Sequence, residues 1–189
     1  MYPIDVHVLT HEGTHPSDLS RCLQSLASEP CNVFVIDNAG APVGAGRARG
    51  YAAGAGEFVS YVDSDDHVLP GTYGKVIQAM QDHAAVCTLE RVVTVDSGYV
   101  APTPRRNHAV VGFRRADITP LIPRMIGAPW CVDLLVRETL SPVQLDWIGV
   151  VAYVRPGTAR RRVTADQYLT EKRLWHTQTV QQRPEFTIP

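Results

Sequence analysis

The sequence predicts an α/β fold, with a mostly parallel sheet flanked by helices in a single domain. Strand patterns and helix patterns alternate over the first 96 residues, which is the chain order typical of a parallel sheet. The chain has 189 residues, of which 44% are hydrophobic and 20% are charged. That length and that balance indicate a globular domain with one sizeable core.

The first elements follow from residue spacing. Alternating β-branched residues predict a strand over residues 4–10. Pro16 lies near the start of a predicted helix whose leucines recur on one face. The continuous apolar run over residues 32–37 predicts a second strand that is buried on both faces.

The next elements repeat the alternation. A glycine-rich helix is predicted over residues 45–56, and a third strand over residues 57–63. A Pro-Gly turn then leads into a helix that reaches residue 83, and residues 84–96 predict one long strand or a bent pair. Because the first three strands end in polar loops, those loops should meet at one edge of a parallel sheet, where such sheets bind ligands.

The second half of the chain continues with five more predicted elements and a tail. They are a short strand running into a helix (110–118), a helix (128–140), a strand (145–157), a polar helix (159–178) and an extended tail (180–189).

Charge divides the chain into two halves. Residues 1–100 contain 5 basic and 12 acidic residues, whereas residues 101–189 contain 13 basic and 7 acidic ones. The acidic half could hold a cation and the basic half could meet phosphate. Equally, the folded surface could mix both signs.

Cysteine spacing and the N-terminus bear on location. The spacing of Cys22, Cys31, Cys87 and Cys131 fits neither a zinc site nor a disulfide framework, which predicts buried free thiols and a reducing compartment. No basic signal region and no apolar run of about 20 residues is present. We therefore expect a cytoplasmic protein without a membrane segment.

The stretch YVDSDDHVLPG, residues 61–71, carries the clearest chemistry. A buried strand would deliver three crowded carboxylates, Asp63, Asp65 and Asp66, to the edge of the sheet. They repel one another unless a cation neutralises them. Mg²⁺ typically takes one or two carboxylates together with substrate phosphates. A solvated turn is the alternative.

Three segments together resemble the nucleotide-binding half of GT-A glycosyltransferases, in particular the large inverting family of nucleotide-sugar transferases. VHVLTHEGTHPSDLSRCLQSL is similar to that family's first strand, loop and helix, and VFVIDNAG is similar to its V-V-D-N-x-S segment. GRARGYAAGAGEFVSYVDSDDHVLPG is similar to its A-R-N-x-G, G-E-Y and D-S-D-D-x-x-x-P run. The resemblance implies a GT-A, Rossmann-like fold over roughly residues 3–160.

The resemblance also implies a donor site for a nucleoside-diphosphate-sugar. In it Asp37 binds the nucleobase with Asn38 beside it, Thr10 touches the nucleoside, and Asp63 binds ribose or orders its loop. Asp65 ligates a divalent cation, Mn²⁺ or Mg²⁺, through a DXD-type motif, with Asp66 in support. Arg47 approaches the base or a phosphate. From the residues alone, either Arg47 or Arg49 could reach the carboxylates at the edge of the sheet or a phosphate.

The catalytic half matches less completely. WCVDLLVRE is similar to the family's E-D-x-D-L-x-x-R segment, but Trp130 and Cys131 replace the acidic pair. Asp133 and Asp146 are the candidates for the general base that an inverting transferase needs. The late strand and loop, VAYVRPGTARR, have Arg155 and Pro156 where the family often supplies a metal-binding histidine.

Arginines are concentrated in the same half. Clustered arginines neutralise phosphates, so a nucleic-acid acceptor, such as a modified base, is one hypothesis. A soluble saccharide or a protein acceptor remains open. The arginines concerned are Arg105, Arg106, Arg114, Arg115, Arg160, Arg161 and Arg162.

The predicted organisation is a nucleotide-sugar-binding half (1–100), an acceptor and catalytic half (101–175) and a C-terminal tail (176–189). Two alternatives compete with a transferase. One is a non-catalytic nucleotide-sugar-binding protein that lost its base. The other is a nucleotidyltransferase, against which the loop HEGTH speaks because it lacks that class's glycine pair and arginine.

Overall fold

The computed structural model describes residues 1–101, 110–129, 131–154 and 164–177. Over these residues, seven strands form one sheet in the order β2-β1-β3-β6-β5-β7-β4. The strands are β1 (Ile4–Thr10), β2 (Asn32–Asp37), β3 (Phe58–Asp63), β4 (His67–Val68), β5 (Ala85–Thr94), β6 (Val111–Arg114) and β7 (Val143–Val154).

Helices cover both faces of the sheet. They are α1 (Pro16–Leu26), α2 (Val43–Ala52), α3 (Thr72–Ala79), α4 (Arg115–Ile118), α5 (Ile122–Met125), α6 (Val132–Leu140) and α7 (Ala165–Thr177), with a 3₁₀ turn at Thr119–Leu121. One hydrophobic cluster lies between the sheet and α1 and α3, and a second lies between the sheet and α2, α5, α6 and α7. The predicted α/β fold with a mostly parallel sheet is confirmed.

Strand pairing explains how the two halves share one sheet. β1 pairs in parallel with β2 and with β3, and β5 pairs in parallel with β7. β6 joins the two groups because it runs antiparallel to both β3 and β5. The predicted front and back halves therefore contribute strands to the same sheet.

The second strand departs from its prediction. β2 is an edge strand, and Val33 and Val35 are 38% and 49% exposed, so the prediction of burial on both faces is wrong. An unbroken apolar run gives no alternation from which an exposed face could be recognised.

Several boundaries also differ. α2 ends at Ala52, before the glycines that follow it, and α6 begins only at Val132. The two-residue strand β4 was not predicted, because its pairing with β7 joins residues more than 80 positions apart. Most of the predicted tail lies outside the described residues.

All four cysteines are free and buried, as predicted. Burial raises the pKa of the Cys22 and Cys31 thiols to about 12, with a further contribution from nearby carboxylates. In the part of the chain that the structure describes, no helix is both long enough and apolar enough to cross a membrane.

Candidate functional site

The sheet register brings the ends of three strands together. Thr10 is the register partner of Asp37 across β1 and β2, and Leu9 is that of Asp63 across β1 and β3. Thr10, Asp37 and Asp63 therefore lie side by side at the carboxyl edge of the sheet, as the sequence predicted for a ligand site.

The loop after β2 is shaped by Asn38. Its side-chain Nδ2 donates to the carbonyl oxygens of Ala41 (3.0 Å) and Pro42 (3.4 Å), while its Oδ1 accepts from Arg49 (3.1 Å). Asn38 is 5% exposed, so its side chain holds the loop from within. Asp37 instead is exposed, and its Oδ1 accepts a hydrogen bond from the backbone N–H of Ala39.

The loop after β3 is held by α1. Arg21 donates from Nη2 to the carbonyl oxygen of Asp65 (3.1 Å), and the Cys22 thiol donates to that of Asp63 (3.5 Å). Arg21 is itself paired with Asp18 and stacks 4.2 Å above the ring of Tyr153. These contacts hold the backbone of the loop against α1.

A second contact ties the same loop to the one after β1. The hydroxyl oxygens of Thr14 and Ser64 lie 3.3 Å apart. The loops that follow β1 and β3 are thus connected directly at the predicted site.

The three carboxylates of this loop differ in exposure. Asp65 is exposed, Asp66 is 3% exposed, and the Asp63 side chain is 32% exposed. Within the described ranges, no group of three or more potential His, Cys, Asp or Glu ligands is arranged to hold a metal. The residues therefore fit a cation only in the mode where one or two carboxylates bind it and substrate phosphates complete its coordination.

Arg47 lies beneath the loop and is 2% exposed. Its Nη2 is 2.5 Å from Oδ1 of Asp63, and its Nε and Nη2 donate to Oδ1 and Oδ2 of Asp133 at 3.0 and 3.2 Å. Its guanidinium stacks 3.9 Å from the centroid of the Tyr61 ring. Burial acts to lower the pKa of Arg47, but Asp133 and Asp63 outweigh it and raise that pKa above its usual value.

A buried polar cluster lies behind Arg47. The ring of His7 packs edge-on against Tyr51, with centroids 4.7 Å apart, and lies 5.9 Å from the ring of Tyr61. Burial lowers the pKa of His7 well below its ordinary value, and Arg47 adds to the shift. Burial likewise raises the pKa of both tyrosines, so all three side chains are neutral near pH 7.

The two predicted candidates for the base occupy different places. Asp133 lies in the first turn of α6, and both of its oxygens accept from Arg47. Asp146 is exposed on β7, which two strands, β6 and β5, separate from β3. The structure therefore brings Asp133, but not Asp146, to the strand ends that carry Asp37 and Asp63.

Arg114 and Arg115 do not lie at this edge. Arg114 is the register partner of Phe58, at the opposite end of β3 from Asp63, and pairs with Glu57. Arg115 binds Asp5 at 2.5 Å and donates to three backbone carbonyl oxygens. Both arginines are engaged in holding the amino ends of the strands, which argues against the predicted acceptor role for these two.

Several predicted residues lie outside the described residues. They are Arg105, Arg106, Trp130, Arg155, Pro156, Arg160, Arg161 and Arg162.

Sequence reasoning missed two contacts, one at the candidate site and one at the beginning of α6. Arg21 was part of the family-like R-C-L-x-S-L segment, but nothing in the sequence indicated that it contacts the Asp65 backbone. Glu171 on α7 accepts a hydrogen bond from the backbone N–H of Cys131. The one signal for Glu171 in the sequence was its spacing of four residues from Trp175, which puts both residues on one face of the helix.

Comparison with known proteins gives a family and a fold. The model of the family described as "Glycosyl transferase family 2" matches residues 17–131. A search of curated proteins finds no match.

Solved structures of S. aureus TarS share the fold. TarS 1-349 in complex with UDP-GlcNAc superposes with a TM-score of 0.61 at 17% identity, covering 93% of this chain and 65% of that one. TarS 1-349 alone superposes with a TM-score of 0.61 at 18% identity, covering 81% of this chain and 60% of that one. A longer TarS structure superposes with a TM-score of 0.54 at 16% identity, covering 82% of this chain and 37% of that one. This chain therefore spans less than two thirds of the length of these structures.

Proposed function

The chain belongs to glycosyl transferase family 2, and on that premise we propose that it transfers a sugar from a nucleoside-diphosphate-sugar to an acceptor hydroxyl. The observation that carries the proposal is the meeting of Thr10, Asp37 and Asp63 at one edge of the sheet. Asp65 follows in a loop that α1 holds in place.

The proposed donor site uses these side chains in distinct ways. The exposed carboxylate of Asp37 accepts hydrogen bonds from the nucleobase, and Thr10 lies beside it to contact the nucleoside. Asp63, held by Arg47, accepts from the ribose hydroxyls. Asn38 shapes the loop that faces the base, because its amide is committed to loop carbonyl oxygens.

Asp65, supported by Asp66, would hold a divalent cation, Mn²⁺ or Mg²⁺. Bound there, such a cation offsets the negative charge that develops on the departing diphosphate. The chain's own contribution is to place Asp65 at the edge of the sheet and to fix its backbone through Arg21. We further propose transfer with inversion, in which an acceptor hydroxyl attacks from the face opposite the diphosphate.

Turnover tests this function. UDP is the first nucleotide to try, because the similar fold of TarS was solved with UDP-GlcNAc. We expect release of UDP from a panel of UDP-sugars in the presence of Mn²⁺, and a loss of at least about 100-fold in Asp65→Asn. Asp82→Asn, an exposed aspartate between α3 and β5, is the matched control and should keep the rate.

A second candidate is a nucleotide-sugar-binding protein without catalysis. It is favoured by one observation: both oxygens of Asp133 accept from Arg47, which leaves that carboxylate poorly suited to accept a proton. This candidate predicts tight UDP binding and no UDP release with any acceptor, so the same assay separates the two.

A nucleic-acid acceptor rests on five arginines, Arg105, Arg106, Arg160, Arg161 and Arg162, because Arg114 and Arg115 bind elsewhere. If they contact phosphates, affinity for a DNA duplex should fall steeply between about 50 and 200 mM salt. Affinity that does not change over that range would favour a saccharide or protein acceptor.

A further inference from the structure

Arg91 is an exposed arginine on β5, close to the end of that strand. In the part of the chain that the structure describes, no hydrogen bond, ion pair or ring contact joins its side chain to another residue. Other arginines around the sheet each have a hydrogen-bond partner: Arg21, Arg47, Arg49, Arg114 and Arg115. The guanidinium of Arg91 therefore keeps its N–H donors available for a ligand.

The register of the sheet places Arg91 past the end of β3. Phe113 on β6 is the register partner of Val59 on β3 and of Ala85 on β5. Counted along the strands from that level, Arg91 lies two residues farther toward the carboxyl edge than Asp63, which corresponds to about 7 Å. Two strand spacings, about 10 Å, separate β3 from β5 across β6. Arg91 thus flanks the strand end that carries Asp63.

Arg91 and Asp63 project from the same face of the sheet. Val62, which precedes Asp63, belongs to the hydrophobic cluster between the sheet and α1 and α3. Val150, the register partner of Glu90, belongs to the same cluster. Because successive side chains of a strand point to opposite faces, Asp63 and Arg91 both project from the other face, which α2 and α6 cover lower down.

The loop that carries Asp65 borders the same face. It leads into β4, where His67 is the register partner of Val151, and Val151 is in turn the register partner of Arg91. Register partners in neighbouring strands project from the same face, and two strand spacings put His67 about 10 Å from Arg91. Asp65 lies two residues before His67 and is exposed. Arg91 and Asp65 therefore border the same solvent-accessible space beyond the strand ends.

Resting on the proposed function, we propose that Arg91 binds the diphosphate of the nucleoside-diphosphate-sugar. Groups of opposite charge border the space: the exposed carboxylate of Asp65 on one side and the uncommitted guanidinium of Arg91 on the other. A guanidinium donates paired hydrogen bonds to phosphate oxygens. A divalent cation at Asp65 would neutralise only part of the diphosphate charge, and Arg91 offsets a further part.

Binding of UDP and of uridine separates a contact with the diphosphate from a contact with the nucleoside. Both ligands are titrated calorimetrically, at saturating Mn²⁺, into wild type, Arg91→Gln and Arg173→Gln. The last is the matched control, because it removes another exposed arginine, on α7. We expect Arg91→Gln to weaken UDP binding about 10- to 100-fold, the loss for a hydrogen bond to a charged group, and to leave uridine binding within about twofold. Arg173→Gln should leave both affinities within about twofold of wild type.

Two further readouts distinguish a binding role from a structural one. Arg91→Lys should recover part of the UDP affinity, because it keeps the charge but not the paired donors. The side chain of Arg91 has no partner within the described ranges, so the melting temperature of Arg91→Gln without nucleotide should equal that of wild type. A lowered melting temperature would indicate a structural role and count against the proposal.

The outcome also separates this inference from the proposed function. Arg91→Gln that binds UDP within threefold of wild type would overturn the inference, as would an equal loss of affinity for uridine or in Arg173→Gln. Wild type that binds UDP no more tightly than uridine would exclude any contact with the diphosphate. Wild type that binds neither ligand would instead refute the proposed function, and this inference with it.

Discussion

The guanidinium of Arg47 joins Asp63 to Asp133, with Nη2 2.5 Å from Oδ1 of Asp63 and Nε 3.0 Å from Oδ1 of Asp133. Asp63 ends β3, in the proposed nucleotide-sugar-binding half, whereas Asp133 lies in α6, in the proposed catalytic half. The buried guanidinium of Arg47 therefore fixes the position of the Asp63 carboxylate relative to α6. Its contacts with the two carboxylates explain why the Arg47 side chain can be buried to 2% exposure.

Replacing this arginine should destabilise the fold. In Arg47→Met two carboxylates lose their shared partner, and we expect the free energy of unfolding to fall by about 3 kcal/mol, near the lower end for broken buried pairs because both carboxylates retain some contact with water. Urea denaturation measures the change. Arg173→Met, an exposed arginine on α7, is the control and should shift the value by less than about 0.5 kcal/mol. An equal effect of the two substitutions would show that the bridge adds nothing.

Two helical glycines should respond in opposite directions to alanine. A Cβ at Gly50 would lie 2.3 Å from the His7 ring, whereas a Cβ at Gly74 would meet nothing within 4 Å. Gly50→Ala should lower the free energy of unfolding by about 3 kcal/mol or more, because β1 and α2 cannot move apart without disturbing the core. Gly74→Ala should raise it by about 1 kcal/mol through helix propensity. Thermal unfolding of both variants checks the packing of α2 on β1, and a stable Gly50→Ala protein would contradict it.

Stability should fall as the pH is lowered from neutrality, partly because of His7. Burial keeps His7 neutral in the folded protein, whereas the unfolded chain takes up a proton as the pH falls through the ordinary pKa of 6.5. The unfolded state then binds more protons, so His7 contributes a loss of up to about 1.4 kcal/mol per pH unit between pH 6.5 and its lowered pKa. Urea unfolding measured from pH 7.5 to pH 5.0 should show that the free energy of unfolding changes less with pH in His7→Gln than in wild type. A dependence of the free energy of unfolding on pH in His7→Gln that equals the wild-type one would contradict the prediction that His7 is neutral in the fold.

The arrangement of the strand ends at the proposed donor site could be predicted, because its signals are local in the sequence. Strands that end in Asp37 and Asp63 are visible as apolar runs followed by carboxylates, and parallel pairing then brings them to one edge. The family-like segments added the order and spacing that made the prediction specific. The same local signals placed Asp65 just past the end of its strand.

What could not be predicted depends on contacts between residues distant in the chain. Arg47 and Asp133 are 86 positions apart, and Glu171 and Cys131 are 40 apart. An edge strand such as β2 has the same apolar composition as a central one, so its exposure follows from the strand order and not from its residues. In the sequence, Arg114 and Arg115 likewise resemble a phosphate-binding pair. In the fold they are paired with Glu57 and Asp5 instead.

We propose that the edge formed by β1, β2 and β3 binds a nucleoside diphosphate together with a divalent cation. Isothermal titration of UDP, with and without Mn²⁺, tests it most directly in wild type, Asp65→Asn and Asp82→Asn. We predict that Mn²⁺ strengthens UDP binding at least tenfold in wild type and Asp82→Asn, and that Asp65→Asn loses this gain. Wild type that binds neither UDP nor another nucleoside diphosphate, or an Asp65→Asn protein with the full Mn²⁺ effect, would contradict the account.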